Sequence, residues 1–133
     1  DNDELIFEKW FVTWVRSAFL AKRKKESILE LLEWSETIAK TGRSTQKSFL
    51  QYCVQFFRQA LLQNYNLKEL VFFETKTDFD LNKFAPFIHE RNIMPIVEEL
   101  EDAIYHIERN GNSKIILTDL SIRLTRLLHK RAA

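Results

Sequence analysis

Apolar side chains recur every three or four residues along most of this chain, a spacing that predicts amphipathic helices. The spacing marks five long helical segments and one short segment, over residues 3–21, 25–40, 44–61, 78–84, 92–107 and 113–130. Residues 70–73 (LVFF) have the composition of a strand, but a lone strand has no pairing partner, so we expect an irregular stretch or a helical turn. The pattern predicts an all-α bundle of five to six helices, with residues 1–133 forming a single domain.

Polar and small residues mark where several of these segments begin and end. Asp78 and Asn92 each precede a segment and are expected to cap its first turn, since their side chains accept hydrogen bonds from free backbone N–H groups. Residues 110–112 (NGN) break the chain before the last segment, which begins at Asn112 or Ser113. We expect Ser44 or Thr45 to cap the third segment in the same way as Asp78 and Asn92. Gly42 is expected to end the second segment in a left-handed conformation.

The apolar positions of each segment predict which side of the helix faces the core. In the second segment, the predicted core stripe consists of Ile28, Leu31, Leu32, Ile38 and Ala39, with Trp34 beside it. The other long segments have stripes of the same kind, at Phe7, Trp10, Phe11, Trp14, Val15, Ala18 and Phe19, at Phe49, Leu50, Cys53, Phe56, Phe57, Ala60 and Leu61, and at Ile93, Ile96, Val97, Leu100, Ala103, Ile104 and Ile107.

The last segment differs because its apolar residues do not fit one narrow stripe, which indicates a helix that is buried on more than one side. We assign Ile116, Leu120, Leu124 and Leu127 to the domain's own core. A second, mixed stripe on another side consists of Ile115, Asp119, Ile122 and Arg126, and we call it the α6 stripe. We expect the α6 stripe to contact a neighbouring protein subunit, with apolar anchors for burial and charges for register.

Composition excludes several classes of protein. With 2 Gly and 2 Pro, the chain lacks the turn residues that a fold of many short strands needs. A net charge of +1 gives no overall attraction to nucleic acid or to an acidic membrane, and no apolar run reaches the roughly 20 residues needed to span a bilayer. The single cysteine, Cys53, favours a reducing, cytoplasmic setting. Because the chain starts at Asp1 rather than Met, we expect a domain excised from a longer protein.

The chain lacks the motifs of the common cofactor and metal sites. Its two glycines, Gly42 and Gly111, do not form a phosphate-binding loop or a dinucleotide fingerprint. The candidate metal ligands are Cys53 and three scattered histidines at positions 89, 106 and 129, without the paired spacing of a zinc site. We therefore expect no cofactor, no metal and no small-molecule substrate. The basic run at residues 22–25 is interpreted as a solvated helix junction rather than a contact to DNA.

One pair of residues leaves a catalytic alternative open. Arg123 and His129 stand in an Arg-x5-His spacing on the last segment, which resembles the R-x4–6-H motif of HEPN-family ribonucleases, also small helical bundles. The polar residue usual after the arginine is replaced by Leu124. Cations are also favoured at a helix C-terminus for electrostatic reasons alone.

The end of the chain resembles the C-terminal domain of bacterial clamp-loader subunits, and most closely the delta-prime kind in DNA polymerase III of Bacteroidetes-type bacteria. The resemblance lies in residues 103–115 (AIYHIERNGNSKI) followed by residues 117–124 (LTDLSIRL). Earlier stretches agree with it, and these are residues 11–16 (FVTWVR), 34–39 (WSETIA), 42–43 (GR), 46–50 (QKSFL), 84–88 (FAPFI) and 90–92 (ERN).

This resemblance implies a non-catalytic role. Clamp loaders are pentameric ATPases that place a sliding clamp on primed DNA, and each subunit has an AAA+ module followed by a helical collar domain. The collar domains pack into a ring that holds the subunits together. The resemblance thus implies that the chain is a collar domain whose partners are other clamp-loader subunits. A HEPN-like ribonuclease and an unrelated helical adaptor remain the alternatives.

Overall fold

The structure, a computed structural model, describes residues 2–133, and residue 1 lies outside the described part. The described part contains no strand, which confirms the predicted all-α class. Its helices are α1 (Asn2–Leu20), α2 (Lys25–Ala39), α3 (Arg43–Asn64), the short α4 (Leu81–Phe84), α5 (Ile93–Glu108) and α6 (Ser113–Leu128). Two 3-10 turns lie at Lys68–Leu70 and Ala85–Phe87, so the stretch around residues 70–73 is irregular, as expected.

The helices surround one apolar core. Helix α6 lies between α2 and α5 and contacts α1 on its inner side, while α3 contacts α5, α4 and α1. Helix α1 therefore contacts α2 and α6 on one side of the bundle and α3 on the other. The predicted stripes of α1, α3 and α5 line this core, with Phe11, Trp14, Leu50, Ile96 and Leu100 almost completely buried.

The central contact of the bundle is made by Trp14 of α1. Its ring is fully buried and stacks on Trp34 of α2, with ring centroids 4.7 Å apart and planes 2° from parallel. Its Nε1–H donates to the hydroxyl of Ser121 on α6 at 2.9 Å. One side chain thus fixes the relative positions of three helices.

The core-facing side of α2 differs from the predicted one. Leu31, Trp34 and Ile38 are buried, but Ile28 and Leu32, which the apolar pattern placed in the core, are 47% and 42% exposed. The physical reason is the position of Trp34, whose ring lies inward against Trp14 and whose Nε1–H donates to the carbonyl of Trp10. With Trp34 inward beside Leu31 and Ile38, the helix is turned so that Ile28 and Leu32 face outward.

Three of the predicted helix ends are wrong in detail. Gly42 has φ −69°, so it is not left-handed, and it precedes α3 at its N-cap position instead of ending α2. The N-cap is therefore neither Ser44 nor Thr45, both of which lie inside α3. Helix α4 is capped by Asp80 rather than Asp78, through a hydrogen bond from the N–H of Asn82.

Two asparagines stand before α6 and α5. Asn112, which was not predicted to be a cap, caps α6, because its side-chain oxygen accepts from the N–H of Ile115 at 3.1 Å. Asn92 stands at the N-cap position of α5 but makes no side-chain cap. Its side chain instead joins α5 to the end of α6.

The loop between α3 and α4 is attached to α1 by Glu8, a carboxylate that is only 3% exposed. The backbone N–H groups of Lys76 and Thr77 both donate to Glu8, at 2.8 and 2.7 Å. A buried carboxylate needs such donors because burial without hydrogen bonds is costly. Glu8 therefore attaches the part of this loop at residues 76 and 77 to α1.

Replacing this carboxylate should loosen the loop. We predict that Glu8→Gln costs about 1–3 kcal/mol of unfolding free energy, because an amide has one acceptor oxygen for two backbone donors. Chemical denaturation measures the loss, and hydrogen exchange at the amides of residues 76 and 77 should become faster. The control is Glu4→Gln, which removes an exposed ion pair with Lys76 and should cost less than about 0.5 kcal/mol. Equal stability of Glu8→Gln and the wild type would contradict this role.

Candidate functional site

The last helix separates its two predicted stripes. Leu120 and Leu124 of the core stripe are buried, and Ile116 and Leu127 are partly buried against the core. Three residues outside the predicted core stripe, Leu117, Ser121 and Leu128, are also buried. The centre of the buried side therefore lies slightly to one side of the predicted stripe.

All four residues of the α6 stripe lie on the solvent-facing side of the helix. Ile115 is 67% exposed and Ile122 is 49% exposed. Asp119 and Arg126 lie on the same side, bordering the surface grooves that flank the helix. Large apolar side chains on one exposed helix face are typical of a surface that binds another protein. The expectation that this surface contacts a neighbouring subunit stays a prediction.

A groove lies on each side of the α6 stripe. The first, which we call the α2–α6 groove, has a volume of about 220 Å³ and a mostly apolar lining, which includes Ile28, Leu32, Ile122, Thr125 and Arg126. The second, the α5–α6 groove, has a volume of about 350 Å³ and a charged lining. Ile122 and Arg126 thus border the apolar groove, while Ile115 and Asp119 border the charged groove.

The charges of the α5–α6 groove are paired with one another. Arg123 contacts Asp119 at 2.9 Å and Glu99 of α5 at 3.1 Å. The hydrogen bond to Asp119 and the charge of Glu99 raise the pKa of Arg123, which keeps the guanidinium charged. This network links α5 to α6 on the surface and leaves Arg123 engaged with carboxylates.

The junction between α5 and α6 is fixed by residues from α3. Asn110 adopts a left-handed φ of 63°, and the N–H of Gly111 donates to the carbonyl of His106 at 2.9 Å. Arg43 of α3 donates to the carbonyl of Gly111 at 2.8 Å and to that of Ile107 at 3.2 Å. The start of α6 is therefore held at a fixed position against α3.

A side chain at Gly111 has no room. A Cβ there would lie 2.9 Å from the carbonyl oxygen of His106 and 2.8 Å from a methyl group of Ile116. One turn further along α3, Gln46 accepts a hydrogen bond from the hydroxyl of Ser113 at 2.7 Å. These contacts join the sequence stretches 42–50 and 103–115, both of which carry the family resemblance.

The far end of α6 is held by buried polar side chains. The amide of Asn92 donates to the carbonyls of Leu127 and Phe87, at 3.0 and 2.8 Å. His89 Nδ1 accepts from the N–H of Arg91, so the proton lies on Nε2, which is 2.9 Å from the carbonyl of Lys130 and donates to it. His89 and Asn92 thus have structural roles that helix-capping rules did not predict.

Arg123 and His129 do not converge on a common site. Arg123 contacts the carboxylates of the α5–α6 groove. His129 lies at the other side of the helix end, where its ring stacks on Phe19 with centroids 4.8 Å apart and its Nε2 is 2.8 Å from the Phe19 carbonyl oxygen. Catalysis by such a pair would need both side chains to reach one phosphodiester.

The described residues also offer no metal cluster and no exposed thiol. No group of three or more His, Cys, Asp or Glu residues within residues 2–133 is placed to hold a metal ion. Cys53 is completely buried, and burial raises the pKa of its thiol well above the ordinary value. The neutral thiol therefore behaves as a small apolar core group.

On α2 and α6, the exposed apolar residues of α6 were predicted from the sequence, and those of α2 were not. On α2, Ile28, Leu29 and Leu32 are 47%, 56% and 42% exposed, and Ile28 and Leu32 line the same groove as Ile122. The available signal was that the apolar residues of α2 cover too wide an arc for one buried stripe. With Trp34 and Leu31 taken as the core side, Leu29 lies on the opposite side of the helix.

No family model, no curated protein and no solved structure matches this chain. Within residues 2–133, the helices are all too short or too polar to cross a lipid bilayer. A function for the chain therefore has to be inferred from the geometry of the α6 stripe and its surroundings.

One ionisable group of the described residues, Tyr52 on α3, predicts alkaline sensitivity. Burial, and next the charge of Glu8, raise the pKa of Tyr52 above its ordinary value of 10.0. A raised pKa means that the unfolded chain ionises first, so the folded state loses stability as pH rises above about 10. We predict that Tyr52→Phe makes the decline of unfolding free energy between about pH 9.5 and 11 less steep. Urea denaturation across this range tests it, and an identical slope in the variant would contradict it.

Proposed function

We propose that this chain is a protein-assembly domain, the collar domain of a bacterial clamp-loader subunit of the delta-prime kind, working in the cytoplasm. Its α6 stripe contacts a neighbouring subunit, so that the domain holds the clamp-loader ring together during DNA replication. It has no catalytic role of its own, and its partners are proteins rather than DNA, a membrane or a small molecule.

The observation that carries this proposal is the exposed apolar surface on α2 and α6. Large apolar side chains are exposed to solvent on these two adjacent helices, while the apolar core itself is buried. The exposed residues are Ile28, Leu29, Leu32 and Ile122. Covering this apolar area with another chain is favourable by roughly 25 cal/mol of free energy for each Å² removed from water.

A second support is the location of the residues that resemble the clamp-loader family. Arg43, Gln46, Gly111 and Ser113 contact one another at the start of α6. Asn92 contacts the end of α6. The resemblance therefore falls on residues that determine how α6 is positioned, which is what an assembly domain built around this helix requires.

The ribonuclease alternative lacks comparable support. Its two candidate residues, Arg123 and His129, have different partners on different sides of α6. The unrelated-adaptor alternative uses the same exposed surface, and binding to clamp-loader subunits is what separates it from the collar assignment.

The two stripes of α6 should respond differently to the same substitution. Leu124 is 3% exposed, so Leu124→Asp buries an unpaired carboxylate. It should lower the free energy of unfolding by about 4 kcal/mol or more, so that most molecules are unfolded. Ile122 is half exposed, so Ile122→Asp should cost about 1 kcal/mol or less while removing an apolar anchor of the interface. Thermal melting of both variants, with gel filtration of the chain mixed with clamp-loader subunits of its own organism, measures both effects.

A matched control lies on another face of the domain. Phe72, in the loop between α3 and α4, is 72% exposed, so Phe72→Asp introduces the same charge away from α6 and should leave assembly intact. If Ile122→Asp unfolds the domain as severely as Leu124→Asp, both stripes belong to one core. If it melts normally and still assembles with the subunits, the α6 stripe is not the contact.

A further inference from the structure

The exposed surfaces of α2 and α6 carry their charges in a definite order. On α2, residues Lys25, Leu29, Leu32 and Glu36 are spaced by four, three and four positions and therefore lie on one side of the helix. All four are exposed, and one of them, Leu32, lines the α2–α6 groove together with Ile122 and Arg126. From these residues together with Asp119 we define the α2–α6 face.

The two helices run in opposite directions across this face. The end of α6 lies at the end of α1, where His129 contacts Phe19, and α2 begins a few residues later, at Lys25. Trp34, further along α2, contacts the carbonyl of Trp10, nearer the start of α1. The beginning of α2 therefore lies beside the end of α6.

This direction places like charges together at each end of the face. Lys25 and Arg126 lie at one end, which the exposed basic residues 22–24 extend. Glu36 and Asp119 lie at the other end, and Asp119 is also hydrogen-bonded to Arg123. The apolar middle consists of Leu29, Leu32 and Ile122, and the residues about one helical turn beyond the acidic end are Lys40 and Lys114. The order along the face is basic, apolar, acidic.

A surface with this order is complementary to itself under a two-fold rotation. We propose that the α2–α6 face binds a second copy of this chain in an isologous homodimer. A two-fold axis through the middle of the face places apolar residues against the same apolar residues. With the axis running across the two helices, α2 faces α2 and α6 faces α6, so that Lys25 of each copy meets Glu36 of the other and Arg126 meets Asp119.

Charge complementarity selects a second copy over an unrelated partner. A different protein needs only an apolar surface here, and nothing in that case requires the two ends of the face to have opposite signs. The homodimer goes beyond the proposed clamp-loader role, because it forms without any other subunit. If the chain remains monomeric and still binds clamp-loader subunits, the homodimer is wrong while the proposed function stands.

A charge exchange tests the two-fold arrangement directly. Lys25→Glu gives a homodimer in which the introduced carboxylate faces Glu36 twice, and Glu36→Lys gives one in which the introduced ammonium group faces Lys25 twice. Each single variant should therefore dimerise more weakly than the wild type by roughly 10- to 100-fold in Kd. In an equal mixture of the two variants, both contacts between positions 25 and 36 in the heterodimer are again between opposite charges, so dimerisation should return.

This recovery has no explanation within one copy. Eleven residues along α2 separate the two ends of the face, which corresponds to about 16 Å at the rise of an α-helix. That distance exceeds the Debye length of about 8 Å at physiological salt. Lys25 and Glu36 of the same copy therefore do not pair, and recovery in the mixture reports a contact between copies.

The measurement is sedimentation velocity of the 133-residue chain over a range of concentrations, with circular dichroism to show that each variant is folded. The wild type and the Phe72→Asp control should dimerise, each charge variant should be mainly monomeric, and the mixture should dimerise again. A monomeric wild type at every concentration would overturn the proposal. It would also be overturned if the folded single variants dimerise as the wild type does, or if mixing them fails to restore the dimer.

Discussion

The structure depends on the requirement that the buried indole N–H of Trp14 find an acceptor. Ser121 supplies it at 2.9 Å, and because its own hydroxyl donates to the carbonyl of Leu117 at 2.7 Å, both polar groups are satisfied inside the core. This hydrogen bond determines how α6 is rotated about its axis, since Ser121 has to face α1. Ile122, the next residue, is then turned about 100° away and reaches the surface. The exposed apolar stripe is thus a consequence of a polar contact in the core.

The ends of α6 reinforce that rotation. Arg43 holds the junction at the start of the helix, and Asn92 holds the carbonyl of Leu127 at its end. A helix fixed at its middle and at both ends cannot turn to bury Ile115 and Ile122 against its own core. The domain therefore keeps these side chains exposed in the absence of a partner, which means that a binding surface of this shape is formed before binding and needs little reordering.

Local sequence rules predicted the helices well and the tertiary contacts poorly. The bounds of α1, α2 and α6 follow from apolar periodicity to within two residues. The inward position of Trp34 does not follow from periodicity, because it depends on Trp14, 20 residues earlier. For the same reason, the exposed residues of α2 were missed. The bond between Trp14 and Ser121 spans 107 positions, and no local pattern indicates it.

The exposed apolar side chains of α2 and α6 matter to the proposed function only if they form a surface that binds protein. The most direct test is methyl NMR of isoleucine- and leucine-labelled chain, recorded alone and with clamp-loader subunits of its own organism. We expect the signals of Leu29, Leu32 and Ile122 to shift or broaden, while those of the buried Ile96 and Leu100 stay unchanged. Unchanged signals at α2 and α6, with the changes located elsewhere on the domain, would contradict a binding role for this surface.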